Sequence, residues 1–253
     1  MPSSSHRPRK RFGQHFLHDP GVIRRIVEAI APAADDFLVE IGPGQGVLTL
    51  PLAERVRQLE VIEIDRDLAA ALPADRIKVH VADALEFDFG VFPRGVRVVG
   101  NLPYNISTPL LFHLARYADR VRDMHFMLQL EVVERMVAKP STPEYGRLSV
   151  MLQTRFRMEK LFRVAPGAFR PPPKVDSAVV RMVPLRTPLG CDEKRFEELV
   201  RGAFSARRKT LRNAMPLSAG DFAALGIDPG LRPENLSPED YVRIARRTNF
   251  AHS

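Results

Sequence analysis

Between Phe37 and Leu130, short β-rich runs alternate with helical stretches. That alternation is the signature of a doubly wound α/β sheet, with helices on both faces of largely parallel strands. Strands are expected at Phe37 to Ile41, Leu59 to Ile64, Ile77 to Val81, Val96 to Val99 and Met124 to Leu130. Before the first of them, Val22, Ile23, Ile26, Val27 and Ile30 recur at helical spacing, so a helix is expected over Gly21 to Ala31. A last strand, Ala178 to Val183, follows the run Pro171-Pro172-Pro173, and the two late strands should pair across an exposed loop, ending the sheet.

Pro184 and Pro188 then break the chain. Beyond them Phe196, Leu199, Val200, Ala203, Phe204 and Leu211 repeat at helical spacing, while Ser237, Pro238 and Asp240 supply an N-cap, a first-turn proline and a first-turn acid. The expected organisation is an α/β domain over residues 1–186 and a small all-α domain over 187–253. A 253-residue chain with 45% apolar and 27% charged residues has enough material for such a core and is not a disordered one. Its one cysteine, Cys191, excludes an internal disulfide and, with it, the disulfide scaffolds of small secreted domains. The N-terminal residues are polar and basic without an apolar h-region, which points to a cytoplasmic protein.

The first strand runs into Glu40-Ile41-Gly42-Pro43-Gly44-Gln45-Gly46. Glycines at that place let the backbone turn sharply and approach a ligand at the carboxyl end of the sheet. A dinucleotide fingerprint would need glycine where Val47 stands, so an oxidoreductase is disfavoured. No G-x-x-x-x-G-K motif supports a nucleotide triphosphatase. Glu63 ends the second strand, where its carboxylate can accept from both hydroxyls of a ribose, and Asp83, followed by Ala84, ends the third beside the place for a base. These positions fit an adenosine ligand without a pyrophosphate, and S-adenosylmethionine is the expected cofactor.

The fourth strand leads into Gly100-Asn101-Leu102-Pro103-Tyr104. The exocyclic amine of adenine is a poor nucleophile because its lone pair is delocalised into the ring. The Asn101 side-chain carbonyl and the Leu102 main-chain carbonyl can each accept a hydrogen bond from that amine and favour a pyramidal nitrogen. Pro103 fixes the turn, and the Tyr104 ring can stack on a base swung out of its helix. A strand can also leave a sheet through an N-x-P-Y turn with no chemistry attached; the glycine loop before it turns the balance toward amine methylation.

Charge is unevenly placed: +8 overall, with +4 in residues 1–11, +1 in 12–185 and +3 in 186–253. Basic flanks on a nearly neutral body suit a polyanion such as RNA, with Arg9, Lys10 and Arg11 in the arm and Arg207, Arg208, Lys209 and Arg212 on the helix expected to open the C-terminal domain. Arg208 and Arg212 are one helical turn apart and should share a face. A solvated helix face is the plainer alternative. His15 and His18 form an H-x-x-H pair with no third ligand in view, so no metal is expected.

With these features in place, the chain resembles the ribosomal RNA adenine dimethyltransferases, and within them the small-subunit branch. The resemblance rests on Arg9 to Leu17, the Glu40 to Gly46 loop, Asn101 to Leu110 (NLPYNISTPL), Tyr145 to Val150, Phe169 to Val180 (FRPPPKVDSAVV) and Phe204 to Asn213 (FSARRKTLRN), in family order over nearly the whole length. It implies a Rossmann-like class I S-adenosylmethionine-dependent methyltransferase domain and a small helical domain that contacts RNA. The activity implied is dimethylation of N6 on two adjacent adenosines near the 3′ end of small-subunit (16S) rRNA, in a pre-30S-type particle; nothing in the sequence demands more than a monomer. Cofactor contacts are implied at His15, Leu17, Gly42, Gly44, Glu63, Asp83, Ala84 and Asn101. Phe169, before the proline run, is the candidate for a second aromatic at the target base, with a core position as its alternative. Two other readings stay open: a large-subunit adenine methyltransferase of the macrolide-resistance type, and a ribosome-assembly factor that keeps the fold without catalysis.

Overall fold

The computed structural model describes residues 14–186 and 189–248. Its strands are β1 (Phe16–Leu17), β2 (Phe37–Ile41), β3 (Gln58–Glu63), β4 (Lys78–Val81), β5 (Val96–Asn101), β6 (Val121–Gln129), β7 (Phe156–Val164), β8 (Phe169–Arg170) and β9 (Ser177–Pro184). The helices are α1 (Pro20–Ile30), α2 (Thr49–Ala53), α3 (Arg66–Ala70), α4 (Ser107–Ala115), α5 (Leu130–Val137), α6 (Arg147–Gln153), α7 (Glu193–Ser205), α8 (Leu211–Ala214), α9 (Ala219–Leu225) and α10 (Pro238–Thr248). Among the described residues no helix is long and apolar enough to cross a membrane.

Seven strands form one sheet in the order β4-β3-β2-β5-β6-β9-β7, and β1 pairs with β8 in a separate two-stranded ladder. From β4 to β6 the neighbours are parallel, and β9 returns antiparallel to β6 with Phe126 opposite Val180. The chain order reverses between β2 and β5. In such sheets a crevice opens at that switch point, beyond the carboxyl ends of the strands. The β6–β9 pair matches the expected pairing of the late strands, but their connection carries α5, α6, β7 and β8 rather than one loop. The sheet also continues past β9: β7 lies at the edge, and its sequence FRMEKLFRV is mostly outside the core. Charged side chains on an edge strand keep it from pairing with other chains and also hide its alternation.

The core of the sheet is built where the apolar pattern demands it, with Leu38, Val61, Val99 and Met127 buried against Val27 and Ile30 of α1. Helix α1 begins one residue earlier than expected because Pro20 fits the first helical position and the Asp19 carboxylate accepts from Gly21 N at 2.8 Å and Val22 N at 3.0 Å. At its other end the Arg97 guanidinium donates to the Ile30 carbonyl at 2.5 Å and pairs with Asp36 at 2.6 Å and Asp123 at 2.8 Å. Arg97, Asp36 and Asp123 are all buried, and this network joins α1, β5 and β6 at the edge of the sheet opposite the crevice.

The chain divides into two compact units, the described parts of Met1–Val133 with Met158–Pro184, and Glu134–Arg157 with Leu185–Ser253. The boundary expected at residues 186 and 187 is therefore corrected: the helical unit also takes up 134–157. The reason is apolar burial, since α6 packs on α7 and α10, and Tyr145, fully buried, donates its hydroxyl to the Leu236 carbonyl at 2.9 Å. The Phe204 ring meets Tyr145 edge to face at 6.3 Å and stacks on Tyr241 at 5.9 Å. The last helix starts as its sequence predicts, with Ser237 Oγ accepting from Asp240 N at 3.1 Å and the Asp240 carboxylate accepting from Ser237 N at 3.1 Å.

Replacing Arg97 with Ala leaves Asp123 buried without its cation and should lower the unfolding free energy by about 3–5 kcal/mol, measured by urea denaturation. A loss under about 1 kcal/mol would show that the network contributes little.

Candidate active site

A cavity lies at the carboxyl ends of β2, β3 and β5, and its wall carries Gly42, Gly44, Glu63, Asp83, Asn101 and Tyr104. His15, Leu17, Ala84, Leu102 and Pro103 also line it. Residues read separately along the sequence thus meet in one space.

The loop after β2 turns because Gly42 and Gly44 adopt φ of 66° and 56°, in the left-handed region. Gly42 N donates to the Ile62 carbonyl at 2.9 Å, tying the loop to β3. A Cβ on Gly44 would sit 3.3 Å from the Phe16 ring, so this glycine also makes room for the residue that covers the loop. Gly100 is the tightest position: an added Cβ would lie 2.5 Å from the Ile41 carbonyl. Glycine there lets the end of β5 close against the end of β2 and delivers Asn101 beside the loop. Sequence reasoning gave Gly100 no role, although a glycine inside a strand signals a close backbone approach.

Asn101 Nδ2 donates to the main-chain carbonyl of His15 at 3.3 Å. A carbonyl oxygen only accepts, so the NH2 end of the carboxamide faces it and the acceptor end is what Asn101 can offer to a ligand amine. Leu102 N donates to the Met127 carbonyl at 3.1 Å, fixing the peptide that follows Asn101. The Ser107 hydroxyl closes the turn by donating to the Tyr104 carbonyl at 3.1 Å. The Tyr104 hydroxyl lies 2.5 Å from Ser177 Oγ, and burial pushes its phenol above the ordinary value.

Two acidic residues belong to the cavity wall, Glu40 near the end of β2 and Glu63 at the end of β3. Glu63 accepts from Gly44 N at 3.2 Å and from Asp65 N at 2.9 Å, and burial raises its pKa. Glu40, counted at the sequence level only as part of the loop, is 1% exposed and accepts from Thr49 Oγ1 at 2.7 Å. Burial above all, with the neighbouring charge of Glu63, pushes Glu40 up to about 7. Asp83 is half-buried, and its Oδ1 accepts from Leu85 N at 2.9 Å.

Other expectations need correction. Phe169 does not line the cavity; it is 2% exposed and packs in the core with Leu17 and Ala168, opposite Leu17 in the β1–β8 ladder. Arg207, Arg208 and Lys209 do not lie on a helix, because α7 ends at Ser205, whose hydroxyl donates to the Gly202 carbonyl at 2.7 Å. Lys209 N closes a turn on the Ala206 carbonyl at 2.8 Å, and Arg212 belongs to the separate helix α8. Arg207 is held by Glu234 at 3.2 Å, whereas Arg208, Lys209 and Arg212 are exposed. Arg9, Lys10 and Arg11 lie outside the described residues. Among the described residues no group of three or more His, Cys, Asp or Glu side chains is placed to hold a metal ion.

Residues 5–249 match the family described as Ribosomal RNA adenine dimethylase. The chain belongs to that family. It is 60% identical, over 96% of each chain, to the Ribosomal RNA small subunit methyltransferase A of Chromobacterium violaceum. It is likewise 60% identical to the protein of that name from Aromatoleum aromaticum, over 98% of this chain and 95% of the other. Among solved structures it is similar to a dimethyladenosine transferase from Plasmodium falciparum, with a TM-score of 0.82 at 25% identity over 93% of this chain and 98% of that one. The 23S rRNA methyltransferase ErmE follows at 0.70 and 29% identity, over 92% and 99%. Like its family, the protein is a class I methyltransferase that uses S-adenosylmethionine.

The raised pKa of Glu40 has a definite sign. Its folded value, about 7, lies above the unfolded value of 4.5, so the folded state holds the extra proton between them. The contribution is fully present below pH 4.5 and is lost as pH rises through about 7. Glu40→Gln should therefore be more stable than the parent at pH 8, by on the order of 3 kcal/mol, with the difference shrinking toward pH 5. Urea unfolding of the cofactor-free proteins across this range checks it; parallel pH profiles would contradict the burial-driven shift.

Proposed function

We propose that this enzyme dimethylates N6 of two adjacent adenosines near the 3′ end of 16S rRNA, acting as a monomer on a pre-30S-type particle in the cytoplasm. The observation that carries the chemistry is the Asn101 carboxamide, tied by its NH2 group to His15 and lining the same cavity as the glycine loop. The small-subunit target is favoured over a large-subunit one by the 60% identity to proteins named for the small subunit, against 29% to ErmE. An assembly factor without catalysis would have no use for the Asn101 to Tyr104 turn held in this cavity.

The residues of the cavity fit the cofactor. Ile64, 44% exposed at the end of β3, and the buried Leu68 and Ala84 offer an apolar surface for an adenine ring. Asp83 would receive the ring's amine and Glu63 the ribose hydroxyls. Gly42 and Gly44, with the main chain of His15 and Leu17, would hold the amino-acid portion. S-adenosylmethionine, when bound, supplies a methyl group activated by a positively charged sulfur.

The remaining work falls to this chain. In the first transfer Asn101 Oδ1 and the Leu102 carbonyl accept from the two hydrogens of the target amine, and in the second one of them holds the single hydrogen that is left, drawing the lone pair out of the ring and aiming it. Pro103 fixes the turn that presents both oxygens, and Tyr104 stacks on the extruded base. The amine becomes acidic only once it is methylated, so solvent can take its proton and no strong base is required. Exposed Arg208, Lys209 and Arg212, with Arg9, Lys10 and Arg11 of the arm, supply charge for rRNA phosphates.

Asn101→Ala should lower kcat for methyl transfer to under-methylated small subunits by about 10²–10³, with far smaller changes in cofactor and rRNA affinity. Parent-level turnover would refute the proposed role. Replacing Arg208 and Arg212 together with Ala should weaken rRNA binding and reduce the slope of log K against log salt by about 2, measured by filter binding across a salt series. An unchanged slope would remove these residues from the RNA surface.

A further inference from the structure

Tyr104 is held by more than its own turn. Its hydroxyl meets Ser177, fully buried at the start of β9, at 2.5 Å. Its ring face meets the imidazole of His15, with centroids 5.5 Å apart and planes inclined by 29°. The imidazole is itself fixed, since Nδ1 lies 2.8 Å from the Pro171 carbonyl oxygen. That oxygen can only accept, so Nδ1 carries the proton and donates.

A phenol anchored at its oxygen alone can still tilt about the line from that anchor to its own Cβ. A second aromatic ring packed on one face removes this freedom and leaves the other face for a ligand. His15 reaches Tyr104 with its side chain and Asn101 with its main-chain carbonyl. One residue therefore constrains two groups of the turn through different atoms. The Pro171 and Ser177 contacts also give the segment Phe169–Val180 a role here, although Phe169 itself is in the core.

We propose that the His15 imidazole is a positioning residue for methyl transfer, setting the plane of the Tyr104 ring against which the target base stacks. This rests on the reading of Tyr104 as the stacking residue. The role differs from a cofactor contact, because the imidazole is engaged by Tyr104 and Pro171 while the main chain of the same residue faces Asn101.

The test is a double-mutant cycle with the full-length enzyme, S-adenosylmethionine and under-methylated small subunits. His15→Ala should lower kcat about tenfold, with cofactor Kd and rRNA KM changed by less than about threefold. His15→Phe keeps an aromatic face without the Nδ1 hydrogen bond and should recover most of the loss. In a Tyr104→Ala background, His15→Ala should cost nothing further, because it acts through that ring. Parent-level kcat in His15→Ala, no recovery in His15→Phe, or losses that multiply in the double variant would each overturn the inference. If Tyr104→Ala itself turns over at the parent rate, the stacking reading fails and the His15 role with it. Reduced turnover in Tyr104→Ala beside full turnover in His15→Ala would defeat the His15 role alone.

Discussion

The hydrogen bond from the Asn101 carboxamide to the His15 carbonyl joins the end of a central strand to the segment that crosses in front of it. An amide has one donating and one accepting end, so fixing the first decides what the second can do. Everything around it serves that fixation. Gly100 lets β5 approach the Ile41 carbonyl, Leu102 is tied to β6 through Met127, and β1 is held in its place by the ladder to β8. Far from the cavity, Arg97 stitches α1, β5 and β6 together, so the strand that carries Asn101 is anchored at both ends.

The electrostatics of the cavity follow from burial. Glu40 lies one residue before the end of β2 and Glu63 ends the parallel neighbour β3, and both are pushed upward because water is withheld from them. With its pKa at about 7, Glu40 is only partly ionised at neutral pH in the free protein. A cationic ligand would favour the ionised forms of both, which couples the protonation of this wall to occupancy of the site. The same logic keeps Tyr104 a neutral phenol, suited to hydrogen bonding with Ser177 and to stacking.

Much of this was legible in the sequence because the site sits at strand ends. The strand at Phe37–Ile41 has the bounds that its apolar run predicts, and the glycine loop, Glu63, Asp83 and Asn101 meet because strands in such a sheet end on one side. What escaped did so for physical reasons. β7 is an edge strand whose charges mask its period, and β1 and β8 are too short to have one. Phe169 precedes a proline run that reads as an exposed loop, yet its ladder with Leu17 draws it into the core. The turn at 206–209 is invisible to a helical pattern that resumes at Leu211. Residues 134–157 join the helical unit through Tyr145 and α6, a long-range association that local periodicity does not encode.

The central claim is that the acceptor end of Asn101 addresses the amine to be methylated. A crystal structure of the enzyme with an unreactive S-adenosylmethionine analogue and an adenosine-bearing RNA fragment tests it most directly. The account predicts Asn101 Oδ1 and the Leu102 carbonyl within hydrogen-bonding distance of the adenine N6, with Tyr104 stacked on the base. An Asn101 turned away from N6, with another side chain in its place, would contradict it.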